Sequence, residues 1–199
     1  MTRATDLLGI LVVGVGGQGA ITLARLLGEA AFAEGLPVRI GQVHGMSRRG
    51  GSVESTVVIG PGRGPFLPLR GADLVVALEP LELQRARPRL HAGTRVVAST
   101  GRVVPTTLAL RGEEYPDTDR WLEALRPEIA ELVLLDGLEL AATAGTRKAV
   151  GAVMLGALAC RSWLPFGPER VFEVLQKHSS AAHREANRRA FAAGRRGAA

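Results

Sequence analysis

The sequence predicts a three-layer α/β domain in which a mostly parallel sheet lies between helices and is followed by a helical C-terminus. Three observations predict it. The chain opens with an apolar run that ends in glycines and leads into an amphipathic segment. Further apolar runs of strand length alternate with loops and helical patterns. The composition, 46% apolar but only 4% aromatic over 199 residues, builds a core from Val, Leu, Ile and Ala. That length suits one domain spanning residues 1–199. So few rings disfavour modules that stack bases on aromatic side chains.

Leu7 to Val15 is continuously apolar, as in a strand buried on both faces. Ile21 to Ala33 follows at helical spacing, with Arg25 and Glu29 at i,i+4 and Gly35 as its stop. Pro37 to Val43 and Ser52 to Ile59 read as strands either side of a glycine-rich basic loop, His44 to Gly51. Gly60 to Arg70, with three prolines and three glycines, reads as a surface loop. Ala72 to Leu78, Thr94 to Ala98 and Leu132 to Leu135 are further strands, with a short helix from Leu81 to Arg87 stopped by Pro88. Gly101 to Pro127 is polar and reads as a solvated excursion with one helical turn around Trp121. Thr146 to Ser162 is helical, and Gly151 and Gly156 within it permit close approach to a sheet or another helix. Pro168 opens a helix whose last turn holds Lys177 and His178, which suits the helix dipole. Ser180 to Ala193, ended by Gly194, is the last.

The net charge is +6, yet five arginines against one glutamate after residue 183 leave a body of only +2. A basic tail of this kind reads as a solvated helix end rather than a nucleic-acid stripe. One cysteine, Cys160, excludes an internal disulfide or a cysteine-held cluster within this chain. Four dispersed histidines make no metal site, and no hydrolase or zinc signature occurs. The first residues lack a secretory pattern, and Val150 to Cys160 is far shorter than the ~20 residues of a membrane span. A cytoplasmic location is expected.

Two glycine-rich segments carry the candidate chemistry. Gly14-Val15-Gly16-Gly17-Gln18-Gly19 satisfies G-x-G-x-x-G between a predicted strand and helix, a Rossmann-like turn in which backbone N–H groups and a helix N-terminus can meet a phosphate. The acidic residue that grips a ribose about 20 residues on is missing, because Arg39 to Val43 hold no Asp or Glu. Ala20 and Ile21 stand where a P-loop needs Lys and Ser or Thr. A tight turn without a ligand is therefore as open as an anion site. In the second segment His44, Gly45, Ser47, Arg49, Gly50, Gly51 and Ser52, beside Arg48, can offer fixed charge and donors to a phosphate or carboxylate. A plain basic hairpin is the alternative. Glu79 and Glu82, at i,i+3 around Pro80, read as capping and solvating a short helix.

Taken with Ala72-Asp-Leu-Val-Val-Ala-Leu-Glu-Pro-Leu-Glu82, Met154-Leu-Gly-Ala157 and the Asn187 to Gly194 element, these segments resemble a known family. The chain is similar to the gamma-type component of thiamine-diphosphate-dependent 2-oxoacid:ferredoxin oxidoreductases, the indolepyruvate-type enzymes in particular. Val43-His-Gly-Met-Ser-Arg-Arg-Gly-Gly-Ser-Val53 is the specific part of the match. Arg48 and Thr146-Arg147-Lys148 depart from the family's usual residues. The resemblance implies oxidative decarboxylation of an aryl 2-oxoacid to the acyl-CoA, within a complex whose alpha subunit holds thiamine diphosphate, magnesium and iron–sulfur clusters and passes electrons to ferredoxin. No catalytic or metal-binding residue is assigned to this chain, which is expected to be inactive alone. Coenzyme A stays open as its ligand, as does a homodimer of the isolated chain. Other 2-oxoacids (pyruvate, 2-ketoisovalerate, phenylglyoxylate) and a free-standing nucleotide or coenzyme A module are the alternatives.

Overall fold

The structure, a computed structural model, describes residues 7–44, 50–62, 64–105, 108, 110 and 112–198, apart from the His44 side chain. Six strands, β1 (Leu8–Val15), β2 (Val38–His44), β3 (Ser52–Ile59), β4 (Leu74–Ala77), β5 (Arg95–Ser99) and β6 (Glu131–Leu135), form one sheet in the order β2-β3-β1-β4-β5-β6. β4 pairs parallel with β1 and β5, and β5 with β6, while β3 runs antiparallel to both β1 and β2. Five strands therefore point one way and β3 alone runs back. The predicted mostly parallel α/β sheet is what forms.

Among the described residues seven α-helices flank it: α1 (Ala20–Ala33), α2 (Pro80–Arg85), α3 (Thr118–Leu125), α4 (Gly137–Thr143), α5 (Val150–Ala159), α6 (Pro168–His178) and α7 (Arg184–Gly197). The alternation of a strand's side chains sorts them into layers. Ile10 and Val12 of β1 face a core shared with α1 and α4 to α7, whereas Leu11 and Val13 face one shared with α2 and α3. Because both faces are covered, β1 and β4 are apolar throughout, as their sequences predicted.

Three sequence expectations change. A helix not foreseen, α4, is capped by the Asp136 side chain, which accepts from the Glu139 N–H at 2.9 Å. The excursion 101–127 contains a full helix, α3, capped by Asp117. The last helix runs through Gly194 to Gly197 instead of stopping there. Gly194 and Gly156 are instead where α7 and α5 touch: a Cβ at Gly194 would fall on the Val153 carbonyl, and one at Gly156 on the Phe191 carbonyl. Packing, not chain termination, explains Gly194. Gly151 meets nothing within 4 Å and plays no such part.

Candidate functional site

Strands β1 and β4 are neighbours in the sheet, but α1 follows β1 onto one face and α2 follows β4 onto the other. Their carboxyl ends flank a topological switch point, the place where open α/β sheets leave a crevice. Gln18 fills that crevice with its own side chain. Its Oε1 accepts from the Val15 N–H at 2.7 Å, and its Nε2 donates to the Leu78 carbonyl at 3.0 Å. A Cβ at Gly14 would lie 3.1 Å from both Gln18 Oε1 and Leu78 Cβ, so the bridge would have to give by a few tenths of an ångström to admit one. Gly17 (φ 102°) and Gly19 (φ 90°) occupy the left-handed region that favours glycine.

The two glycine-rich segments are hydrogen-bonded to each other. The Gly16 N–H donates to the Gly51 carbonyl at 2.7 Å and the Gly50 N–H to the Gly16 carbonyl at 3.3 Å. Ser52 opens β3 opposite Val15. The structure thus brings Gly14, Gly16, Gly17, Gln18, Gly19, Gly50, Gly51 and Ser52 to one edge of the sheet. His44 ends β2 there, paired with Val53. Gly45, Ser47 and Arg49 lie outside the described residues.

Several amides that a dinucleotide turn would aim at phosphate are already engaged, those of Val15, Gly16 and Gln18 among them. Donors remain at the start of α1, whose N-cap Gly19 supplies no side-chain cap and whose first turn has no acidic residue. Gly17, Gly19 and Thr22 open onto a cleft of about 260 Å³ between α1 and α5. The start of α5 also lacks a side-chain cap and an acid, and its Gly151 lines the same cleft beside Lys148. Lys148 and Asn187 join this cleft to a neighbouring groove of about 330 Å³ that reaches Ser180 and His183. The start of α1 and the Lys148 charge, with no acidic side chain lining the cleft, suit an anion; α5 itself continues a 3-10 turn, Arg147–Ala149, that Thr146 caps.

Across the crevice lies a pair of buried carboxylates. Glu79 (0% exposed) caps α2 by accepting from the Glu82 N–H at 3.1 Å, and its other oxygen accepts from the Tyr115 hydroxyl. Burial raises the Glu79 carboxyl above its ordinary value, against the bonds from Tyr115 and the backbone. Burial, then the hydrogen bond to Glu79 and its charge, also raise the Tyr115 phenol, so it stays a donor. Glu82 (1% exposed) accepts from Ser52 Oγ and from Arg85 Nη1, both at 2.5 Å. The capping expected of Glu79 is present, but neither carboxylate is solvated. Tyr115, the chain's one tyrosine, carried no motif that would have marked it, and Lys148 stood out only as a departure from the family's usual residues.

Among the described residues no group of three His, Cys, Asp or Glu side chains could hold a metal ion, and no helix is long and apolar enough to cross a membrane. With one cysteine, the chain does not fit an iron–sulfur cluster.

Comparison with known proteins agrees with this architecture. Indolepyruvate oxidoreductase subunit IorB of Archaeoglobus fulgidus is 38% identical over 170 residues, 85% of each chain. The crystal structure of the gamma subunit of keto/oxoacid ferredoxin oxidoreductase from Geobacter sulfurreducens superposes with a TM-score of 0.70 at 22% identity, covering 96% of this chain and 98% of that one. The 2-oxoglutarate:ferredoxin oxidoreductase of Magnetococcus marinus, solved with 2-oxoglutarate, coenzyme A and succinyl-CoA bound, shares the fold at a TM-score of 0.72 and 18% identity; the match covers 98% of this chain and 31% of that one. Residues 9–197 match the pyruvate ferredoxin/flavodoxin oxidoreductase family, and the chain belongs to that family of oxidoreductase subunits.

Proposed function

We propose that this chain is the cluster-free subunit of an indolepyruvate-type 2-oxoacid:ferredoxin oxidoreductase and that it receives the phosphate-bearing part of coenzyme A. It works as one domain, 1–199, in the cytoplasm. A partner alpha subunit holds thiamine diphosphate, magnesium and the iron–sulfur clusters, decarboxylates an aryl 2-oxoacid and passes the electrons to ferredoxin. The relatives named for indolepyruvate support the substrate, and the single cysteine supports placing the clusters elsewhere. One observation carries the ligand: the cleft between α1 and α5 where the start of α1 meets Lys148 without an opposing acid. In this reading Gly17 and Gly19 present amides to a phosphate, Lys148 supplies charge, and Gly14, Gly16, Gln18, Gly50, Gly51 and Ser52 fix the turn. Coenzyme A binding in the Magnetococcus marinus enzyme makes the same ligand reasonable here.

The test is reconstitution with the alpha subunit, following ferredoxin reduction with indolepyruvate, pyruvate, 2-ketoisovalerate and phenylglyoxylate. Turnover is expected to need both chains and to favour the aryl substrates. Full activity of the alpha subunit alone overturns the subunit role. Lys148→Ala is expected to raise KM for coenzyme A about tenfold, from the loss of one charge-assisted bond of ~1.5 kcal/mol. Tight binding of NAD(H) or NADP(H) by the isolated chain in calorimetry would refute the coenzyme A reading.

A further inference from the structure

Helices α2 and α4 begin alike. Each follows a sheet strand, each has an acidic N-cap, and each cap accepts from the N–H of a glutamate three residues on: Glu79 from Glu82, Asp136 from Glu139. Their surroundings differ. Glu139 is exposed, whereas Glu82 is 1% exposed. Capping therefore gives no reason to bury Glu82, and burying a carboxylate is costly unless it is fully bonded.

The Glu82 bonds supply the reason. Oε1 accepts from Arg85 of its own helix, while Oε2 reaches 30 residues back to the Ser52 hydroxyl at 2.5 Å. Ser52 adjoins Gly50 and Gly51, the two residues bonded to Gly16. A continuous path thus runs from the buried carboxylate through Ser52 and the Gly50–Gly51 peptide to the turn that starts α1.

We infer that Glu82 is a positioning residue for the glycine turn, acting through the Ser52 hydroxyl. It holds β3 at the carboxyl edge so that Gly16 stays bonded and Gly17 and Gly19 keep their place at the cleft. The inference rests on the proposed reading of that cleft as the coenzyme A site.

The test is a cycle of Glu82→Gln, Ser52→Ala and the double variant in the full chain. Hydrogen exchange of the Gly16 amide is expected to rise about tenfold in each single variant and no further in the double, with the Val97 amide in β5 unchanged. In the reconstituted complex the same variants are expected to raise KM for coenzyme A threefold to tenfold and leave kcat within twofold. Wild-type exchange at Gly16, or effects that add in the double variant, overturn the inference. Faster exchange with unchanged KM supports the positioning role and overturns the coenzyme A reading of the cleft. Should Glu82→Gln fail to fold, Ser52→Ala, at an exposed residue, decides: unchanged exchange at Gly16 overturns the inference and faster exchange supports it.

Discussion

The phenol of Tyr115 donates to the carboxylate of Glu79, tying the segment after β5 to the buried end of β4. Burial raises the Glu79 carboxyl above 4.5, so the folded chain binds this proton more tightly than the unfolded chain does. Such a group contributes stability that is complete below pH 4.5 and is lost as pH rises through the folded pKa. Urea denaturation across that window is expected to show Glu79→Gln gaining on wild type as pH increases. A constant difference between the two at every pH would contradict the sign. Tyr115→Phe removes a donor that lowers the Glu79 pKa. It is expected to cost about 1–3 kcal/mol at neutral pH and to carry the window upward.

The contact of α5 with α7 has no room for a methyl group. Because a Cβ at Gly156 or Gly194 would meet a backbone carbonyl, the two helix axes must separate to admit it. Gly156→Ala and Gly194→Ala are each expected to destabilise by about 3 kcal/mol, the upper end of overpacking costs. Gly151→Ala on the same α5 helix meets open space, and it is expected to stabilise by ~0.5–1 kcal/mol through helix propensity. Chemical denaturation of the three variants checks the contrast, and equal effects at all three would show that the contact is looser than drawn.

Gln18 bridges two strand ends with one side-chain amide, which accepts from Val15 and donates to Leu78. Gln18→Glu keeps the shape and the acceptor but sets a carboxylate oxygen against the Leu78 carbonyl. It is expected to cost about 2–3 kcal/mol, more than the ~1–2 kcal/mol of Gln18→Ala, which removes both bonds and leaves a crevice that water can enter. Thermal unfolding gives the order of the two variants, and Gln18→Ala proving the less stable would argue that the bridge is not formed as described.

The strands were legible because both faces of the sheet are covered: β1 reads as an uninterrupted apolar run, and Ser52 to Ile59 alternates with the bounds that β3 adopts. Capping signals place the start of α2, where Glu79 accepts from Glu82. Helix α4 escaped because Asp136-Gly137 resembles a turn, although Asp136 caps the helix and Leu138 and Ala141 pack it into the larger core. Gly194 misled for the opposite reason, since a glycine that ends helices in local terms serves here to admit a neighbouring backbone. At the site, the glycine turn was visible as a pattern of adjacent residues. The Glu82–Ser52 and Glu79–Tyr115 bonds span 30 and 36 residues and leave no local trace.

Arg70 is the one non-glycine among the described residues with a left-handed backbone, at φ 55°. It closes the loop before β4, donates its N–H to the Pro88 carbonyl at 2.9 Å, and lines a cleft of about 670 Å³ on the sheet edge opposite the glycine turn. The conformation costs an L-residue ~1–2 kcal/mol, against the ~0.5–1 kcal/mol of extra chain entropy that a glycine loses on folding. Arg70→Gly is therefore expected to raise stability by ~0.5–1 kcal/mol, with KM for coenzyme A unchanged because the proposed cleft between α1 and α5 has none of the Arg70 loop in its lining. Urea denaturation and steady-state kinetics of the reconstituted complex check both halves. A loss of stability would mean that the Arg70 side chain contributes more to the fold than its backbone strain removes.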